Sequence, residues 1–338
     1  MICFEGNPFS GKDLERLIVF LKKMELEYET GIEYTICLLD QNFNIVGTGS
    51  VEQNVLKCIA IAPEAQGLGL AGTIISNLIQ YQFEKGRSHL FIYTKPENRD
   101  LFEELGFFMI LMTEDVIFME NRKHGLKKYI IQLIEESPAE ALNPGKTIGA
   151  IVANCNPFTL GHRYLIEQAL KECNYVHLFI LSDERSFFKT EERFYMVEEG
   201  IRDLKRVVLH NASDFIISAA TFPTYFMKEK EKAGIANCRL DLELFGQRIA
   251  PDLHITKRFV GTEPSCCLTR SYNKKIKQIL PQYGIEIREI ERIILNNQAV
   301  SASQVRSLLQ LRDYDKIKDI VPETTLDYLL KTTSRQEI

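Results

Sequence analysis

The sequence predicts an α/β chain of two domains, a parallel sheet with helices on both faces preceded by a smaller α+β domain. Three observations carry this. From Lys146 onward, short and almost wholly apolar runs alternate with helical stretches, as expected of strands buried on both sides. Before that point the alternation is irregular and contains a hairpin. Between the two lie Pro138, Asn143, Pro144 and Gly145, all breakers of regular structure. The expected division is residues 1–137, a linker at 138–145, and a second domain over 146–338 that ends in a helical tail.

In the first domain, KDLERLIVFLKKMEL sets Leu14, Leu17, Ile18, Leu21 and Met24 on one helical face. YTICLLD and IVGTGSV read as a hairpin around QNFN, and VLKCIAI as a third strand. A helix from about Ala71 to Lys85 stops at Gly86. HLFIYT is a strand, RDLFEEL a short helix and FFMILM a strand. HGLKKYIIQLIEESPAEALNPGK opens as an amphipathic helix and ends in the breakers. In the second domain the strands are TIGAIVA, YVHLFIL, KRVVLH and TKRFVG. The helices between and after them are RYLIEQALKE, EERFYMVEEGIRDL, YFMKEKEKAGI and YNKKIKQIL, and the tail from Ser301 reads as two or three short helices.

Composition bounds the function. At 45% hydrophobic and 26% charged residues the chain is of ordinary globular type. A net charge of −5 argues against a general nucleic-acid surface, so no nucleic-acid partner is expected. No stretch approaches the roughly 20 apolar residues of a membrane span, and no membrane partner is expected. The start, MICFEGNPFS, lacks a basic region followed by an apolar core, so no signal peptide is expected. The eight cysteines form no CxxC and no zinc-ligand spacing. Reduced thiols in a cytoplasm fit best, with no protein-held metal.

The stretch NCNPFTLGHRYLIEQAL carries the first site signal. It joins a strand's carboxyl end to a helix's amino end, the place where open α/β sheets bind ligands and where phosphate is favoured. Gly161 lets the backbone pass close to a ligand. His162 is expected to aim a nitrogen at incoming phosphates and to be held protonated by them. Asn156 and Pro157 shape the turn, Phe158 follows, and Thr159 adds a hydroxyl. Taken alone, the Gly-His pair equally suits a plain helix start. AVSASQVRSLL is the second signal: Ser301 and Ser303 stand at a helix start with Arg306 one turn on, either a simple cap or a triphosphate clamp.

Together these stretches resemble the nucleotidyltransferase superfamily, whose Thr/His-x-Gly-His turn has an accepted Thr159 variant here. The resemblance implies a Rossmann-like sheet and attack on the α-phosphate of ATP. It gives Thr159, Gly161 and His162 to ATP, with Ser301, Ser303 and Arg306 on the outer phosphates. LSDERSFFKTEER, FIISAATFPTYF, FVGTEP and TRSYN extend the likeness to the citrate lyase ligase family over nearly the whole chain. That family activates acetate as acetyl-adenylate. It then acetylates the thiol of a dephospho-coenzyme A-like arm on the citrate lyase acyl-carrier subunit. Acetate and that subunit are therefore the expected partners.

An anion attacking a polyanion needs several cations. Mg²⁺ accompanying ATP, Arg185 and Lys189 are the further candidates. Thr190 is expected to cap the following helix, and Arg193 to stand either in the site or in a surface ion pair. Thr262 lies at the ligand edge. Glu263 either meets ribose or Mg²⁺ or caps a turn, and Arg270 and Asn273 are weaker candidates.

In the first domain, Gln66, Gly67, Gly69 and Ala71 resemble the pyrophosphate loop of GNAT acetyltransferases, Q/R-x-x-G-x-G/A, and imply a coenzyme A-like ligand there. NRDLFEELGF, with Asn98, fits the same family. Phe102 stands where many such enzymes carry a tyrosine acid, and phenylalanine has no proton to give. Two other functions stay open at this point: an adenylyltransferase making a dinucleotide such as dephospho-coenzyme A, and a coenzyme A-sensing regulator.

Overall fold

A computed structural model describes residues 1–29, 31–182, 186–216, 238–263, 267–295 and 298–335. Packing divides them into two units: residues 1–128 with 238–241, and residues 129–216 with 242–335.

The first unit holds a seven-stranded sheet in the order β1-β2-β3-β4-β5-β7-β6. The strands are β1 (Ile2–Gly6), β2 (Tyr34–Leu39), β3 (Ile45–Glu52), β4 (Val55–Ile61), β5 (Phe91–Thr94), β6 (Phe108–Met112) and β7 (Ile117–Glu120). Neighbours run antiparallel except β4 and β5, which pair in parallel at Val55↔Phe91 and Leu56↔Ile92. The β2–β3 hairpin forms as expected. Its turn is held by the Asp40 carboxylate, which accepts the amides of Asn42 at 2.8 Å and Asn44 at 2.7 Å. The helices are α1 (Gly11–Lys23), α2 (Leu70–Glu84) and α3 (Arg99–Glu104). Ile36, Leu38, Val51 and Leu56 form one core with Ile74, Ile75 and Leu78 of α2. β1 and β7 are absent from the sequence expectation. Both are short, and their pairing with β2 and with β5 and β6 fixes them rather than any pattern of their own.

The second unit is a five-stranded parallel sheet of order β10-β9-β8-β11-β12. Its strands are β8 (Ile148–Ala153), β9 (Tyr175–Ile180), β10 (Val207–Asn211), β11 (Ile255–Gly261) and β12 (Glu286–Ile290). The chain builds outward from β8 to the β10 edge, then returns to lay β11 on the other side of β8. That reversal opens a crevice at the carboxyl ends of β8 and β11. β12 was not expected: Glu286, Arg288 and Glu289 make this edge strand read as a polar loop.

α4 (Gly125–Glu135) spans the division between the units. The division falls earlier than the expected linker at 138–145, because residues after Lys128 pack in the second unit. The Tyr129 hydroxyl donates to the Asn211 carbonyl at 2.8 Å, and the Glu136 carboxylate bonds His210 Nδ1 at 2.7 Å.

α5 (Leu160–Glu172) and α6 (Thr190–Gly200) share a core with β8 and β9 through Ile151, Ile166, Leu178, Met196 and Val197. The tail forms three helices, Ala302–Gln310, Tyr314–Ile317 and Glu323–Arg335, and Val305, Ile317 and Leu329 join that same core. Their packing carries Ser301 and Arg306 back to the crevice. The expected helix YFMKEKEKAGI lies outside the described residues. Among the described residues no helix is long and apolar enough to cross a membrane.

Candidate active site

Thr159 is the N-cap of α5, in extended backbone, and its hydroxyl accepts the His162 amide at 3.4 Å. His162 returns the bond: its Nδ1 accepts the Thr159 amide at 3.1 Å and lies 2.9 Å from the Thr159 hydroxyl. Nδ1 is therefore the unprotonated nitrogen, and Nε2 carries the hydrogen available to a ligand. Burial, then the charge of Arg292, lower the His162 pKa to about 4. The side chain is fixed by its own helix cap, with Nε2 left as the outward donor. Phe158, fully buried, stacks beneath it with ring centroids 5.9 Å apart.

The two sequence motifs meet. A Cβ on Gly161 would lie 3.2 Å from the Val300 carbonyl oxygen, so the missing side chain admits the segment leading into Ser301. Ser301 caps the helix Ala302–Gln310, its hydroxyl accepting the Gln304 amide at 3.2 Å and lying 3.0 Å from that of Ser303. Arg306 donates to the Asn156 carbonyl, and the Asn156 side chain accepts the Phe188 amide at 3.0 Å. Asn156, Pro157 and Thr159 are all buried, so the turn is a rigid mount rather than an open loop.

Lys189 is exposed at the N-cap position of α6, with its amide bonded to the Glu192 carboxylate at 2.8 Å. Thr190 does not cap that helix, contrary to expectation. Its hydroxyl accepts from Arg193 at 2.9 Å. Arg193 is no surface ion pair either, being wholly buried. It donates to the carbonyls of Phe188 at 3.0 Å, Asn154 at 2.9 Å and Leu181 at 2.7 Å, and to the Asn154 side chain at 2.7 Å. It thus ties the ends of β8 and β9 to the segment carrying Lys189. Arg185 lies outside the described residues.

On the β11 side, the Thr262 hydroxyl accepts the Arg292 amide at 3.3 Å and its carbonyl accepts Arg292 Nε at 2.7 Å. Glu263 forms an ion pair with Arg292, and its carbonyl accepts Arg270 Nε at 3.1 Å. Asn273 donates to the Gly261 carbonyl at 3.0 Å. Thr262, Glu263, Arg270, Asn273 and Lys274 line a cavity of about 380 Å³ at this edge. Arg292 is the residue that sequence reasoning missed. Only the alignment of β12 with β11 brings it here, and β12 had no legible pattern.

In the first unit, Gly67 and Gly69 take left-handed backbone, φ +77 and +71, and a Cβ on either would meet nothing within 4 Å. Gly69 is the N-cap of α2, Gln66 is exposed and Ala71 is buried behind the turn. Asn98 donates to the Thr94 hydroxyl at 2.9 Å. Phe102 faces the core, edge-on to Phe107 with centroids 6.4 Å apart.

A switch-point crevice bordered by a capped histidine and a serine-capped helix places the second unit among doubly wound α/β folds, here joined to an acetyltransferase-like unit. Family comparison agrees with both halves. The model of the citrate lyase ligase C-terminal domain matches residues 148–329, and that of the acetyltransferase (GNAT) domain matches residues 7–118. The chain is 43% identical over 317 residues to the citrate (pro-3S)-lyase ligase of Klebsiella pneumoniae, covering 92% of this chain and 91% of that protein. It is 40% identical over 334 residues to the protein of the same name from Haemophilus influenzae, with 97% and 98% covered. The Escherichia coli protein of that name is also 40% identical over 334 residues, with 96% and 93% covered. The chain belongs to the citrate lyase ligase family.

Proposed function

We propose that this ligase uses ATP to activate acetate as acetyl-adenylate. It then moves the acetyl group to the thiol of the dephospho-coenzyme A-like arm on the citrate lyase acyl-carrier subunit. In the first step an acetate oxygen bonds to the α-phosphorus, the bond to the bridging oxygen breaks, and pyrophosphate leaves. In the second the thiol loses its proton, its sulfur bonds to the acetyl carbon, and AMP departs. The observation that carries this reading is the junction of the two motifs, with Gly161 against Val300 and Arg306 on the Asn156 carbonyl. It supports one anion site in which His162 and Thr159 meet the α-phosphate while Ser301, Ser303, Lys189 and Arg306 meet the outer ones. Thr262 borders the nucleoside side.

Among the described residues no group of three or more His, Cys, Asp or Glu could hold a metal. Mg²⁺ enters this reading as the counter-ion that ATP brings, bound chiefly by phosphate oxygens. The open, left-handed Gly67 and Gly69 backbone supports a coenzyme A-like ligand at Gln66–Ala71, with Asn98 nearby in sequence to α3. The core position of Phe102 speaks against amine acetylation through a side-chain acid there. We place the reaction in the cytoplasm, where ATP and reduced thiols coexist.

The test supplies labelled ATP, acetate and deacetylated citrate lyase. AMP, pyrophosphate and an acetylated carrier are expected in equal amounts. A labelled dinucleotide, or no turnover, overturns the reading.

A further inference from the structure

We infer that Arg292 is a phosphate-binding residue of this site, held in place by Glu263 and Thr262. The inference rests on the adenylation reading and names a cation that neither sequence motif contains.

Placement comes first. The Thr262 amide donates to the Ile290 carbonyl at 2.9 Å, which joins the end of β11 to the end of β12. Arg292 follows directly. The next residue, Ile293, accepts the Val300 amide at 3.1 Å, and Val300 is the residue packed on Gly161 in the first turn of α5. Arg292 is therefore fastened on one side to the β11 end and on the other to the segment lying against the His162 turn. That is the mouth of the crevice between β8 and β11.

Its backbone amide donates to the Thr262 hydroxyl, and its side chain is aimed by two bonds, Nε to the Thr262 carbonyl and Nη2 to Glu263. Nη1 has no hydrogen-bond partner among the described residues, and the side chain is 28% exposed. A planar guanidinium held along one edge and open along the other is suited to phosphate oxygens, and holding it in advance reduces the ordering cost on binding. The chemistry needs such a group. His162 offers one donor, Nε2, to a polyanion of several charges, so most of the charge that offsets the polyphosphate must come from neighbouring cations. Arg292 already acts on His162 electrostatically. The competing account is a simple brace, in which the Arg292–Glu263 pair only joins two loops.

Calorimetry with the full chain separates the two accounts, using ATP and adenosine as probes and the variants Arg292→Gln and Arg292→Lys. A phosphate ligand predicts that Arg292→Gln weakens ATP about tenfold or more, the worth of one charge-assisted bond, with adenosine affinity changed by less than about twofold. Arg292→Lys keeps the charge without the fork and should fall between. Equal losses for ATP and adenosine, or an ATP affinity unchanged in both variants, would overturn the inference. Binding is read directly, so the result stands whether or not acetate-dependent pyrophosphate exchange is seen. Absence of that exchange in the unaltered protein counts against the adenylation reading, whereas normal ATP affinity in Arg292→Gln counts against this inference alone.

Discussion

His162 receives two donors at Nδ1, the amide and the hydroxyl of Thr159, and this fixes both its ring and its tautomer. Replacing it with alanine removes a donor whose bond tightens as charge builds on the phosphoryl oxygens. Acetate-dependent pyrophosphate exchange should fall on the order of 10²-fold, as for other preorganised donors, with circular dichroism unchanged. Near-normal exchange would remove His162 from the chemistry.

Its protonation gives a second prediction. The unfolded chain protonates this group near the ordinary histidine value of about 6.5 and the native one only near 4, so the unfolded state binds more protons between them. The buried pair His177 and His210 acts in the same direction, burial lowering both, with His177 at about 3. Stability should therefore fall as pH drops from 7 to 5, by on the order of 1 kcal/mol or more, as read by urea unfolding. Flat stability across that window would mean these imidazoles are solvated. The motif was legible from the spacing of Thr159, Gly161 and His162, but the direction of its pKa was not, because that depends on burial in the folded chain and on the charge of Arg292 far along the sequence. Arg193 shows the same limit. In TEER it reads as one charge among several, yet its partners Asn154 and Leu181 lie at the ends of other strands.

At the level of elements, the site is an agreement between two helix starts. α5 presents His162, the helix Ala302–Gln310 presents Ser301 and Ser303, and the Gly161–Val300 contact sets their spacing. In Gly161→Ala the new methyl would press on a carbonyl oxygen of the backbone, which cannot rotate away as a side chain would. The segment 298–301 must move instead. Thermal unfolding should show a loss of about 1–3 kcal/mol, the usual cost of overpacking. Pyrophosphate exchange should fall further than stability alone explains, since Arg306 leaves its register with Asn156. Exchange at the unaltered level would show that the two helix starts act independently. β8 and β9 of the second sheet were readable as almost wholly apolar, largely buried runs, and β10 and β11 through their apolar cores at Val207–Leu209 and Phe259–Val260. β12 was not, since an edge strand needs charges on its open side, and its Arg288 pairs with Glu172 of α5 at 2.9 Å.

At the scale of the whole chain, the proposed two-step reaction has two phosphorylated reactants, and it would give each unit a task. In that reading ATP takes the crevice of the parallel sheet. The carrier arm ends in a nucleotide pyrophosphate, the kind of group that the Gln66–Ala71 turn would grip through backbone amides. Holding the arm on the same polypeptide as the adenylate raises the effective concentration of its thiol. Gly69→Asp tests this division. Aspartate is among the residues that tolerate left-handed backbone, and its Cβ would enter open space, so the fold should survive. The carboxylate would stand at the α2 amino end and repel pyrophosphate. Acetyl transfer to the carrier should slow about tenfold or more, by the loss of charge-assisted bonds, while acetate-dependent pyrophosphate exchange stays at the unaltered level. Equal slowing of both steps would mean that the first unit supports adenylation itself. Transfer at full speed in a folded Gly69→Asp protein would mean that the arm is held elsewhere, and that the glycine turn is a relic of the acetyltransferase fold.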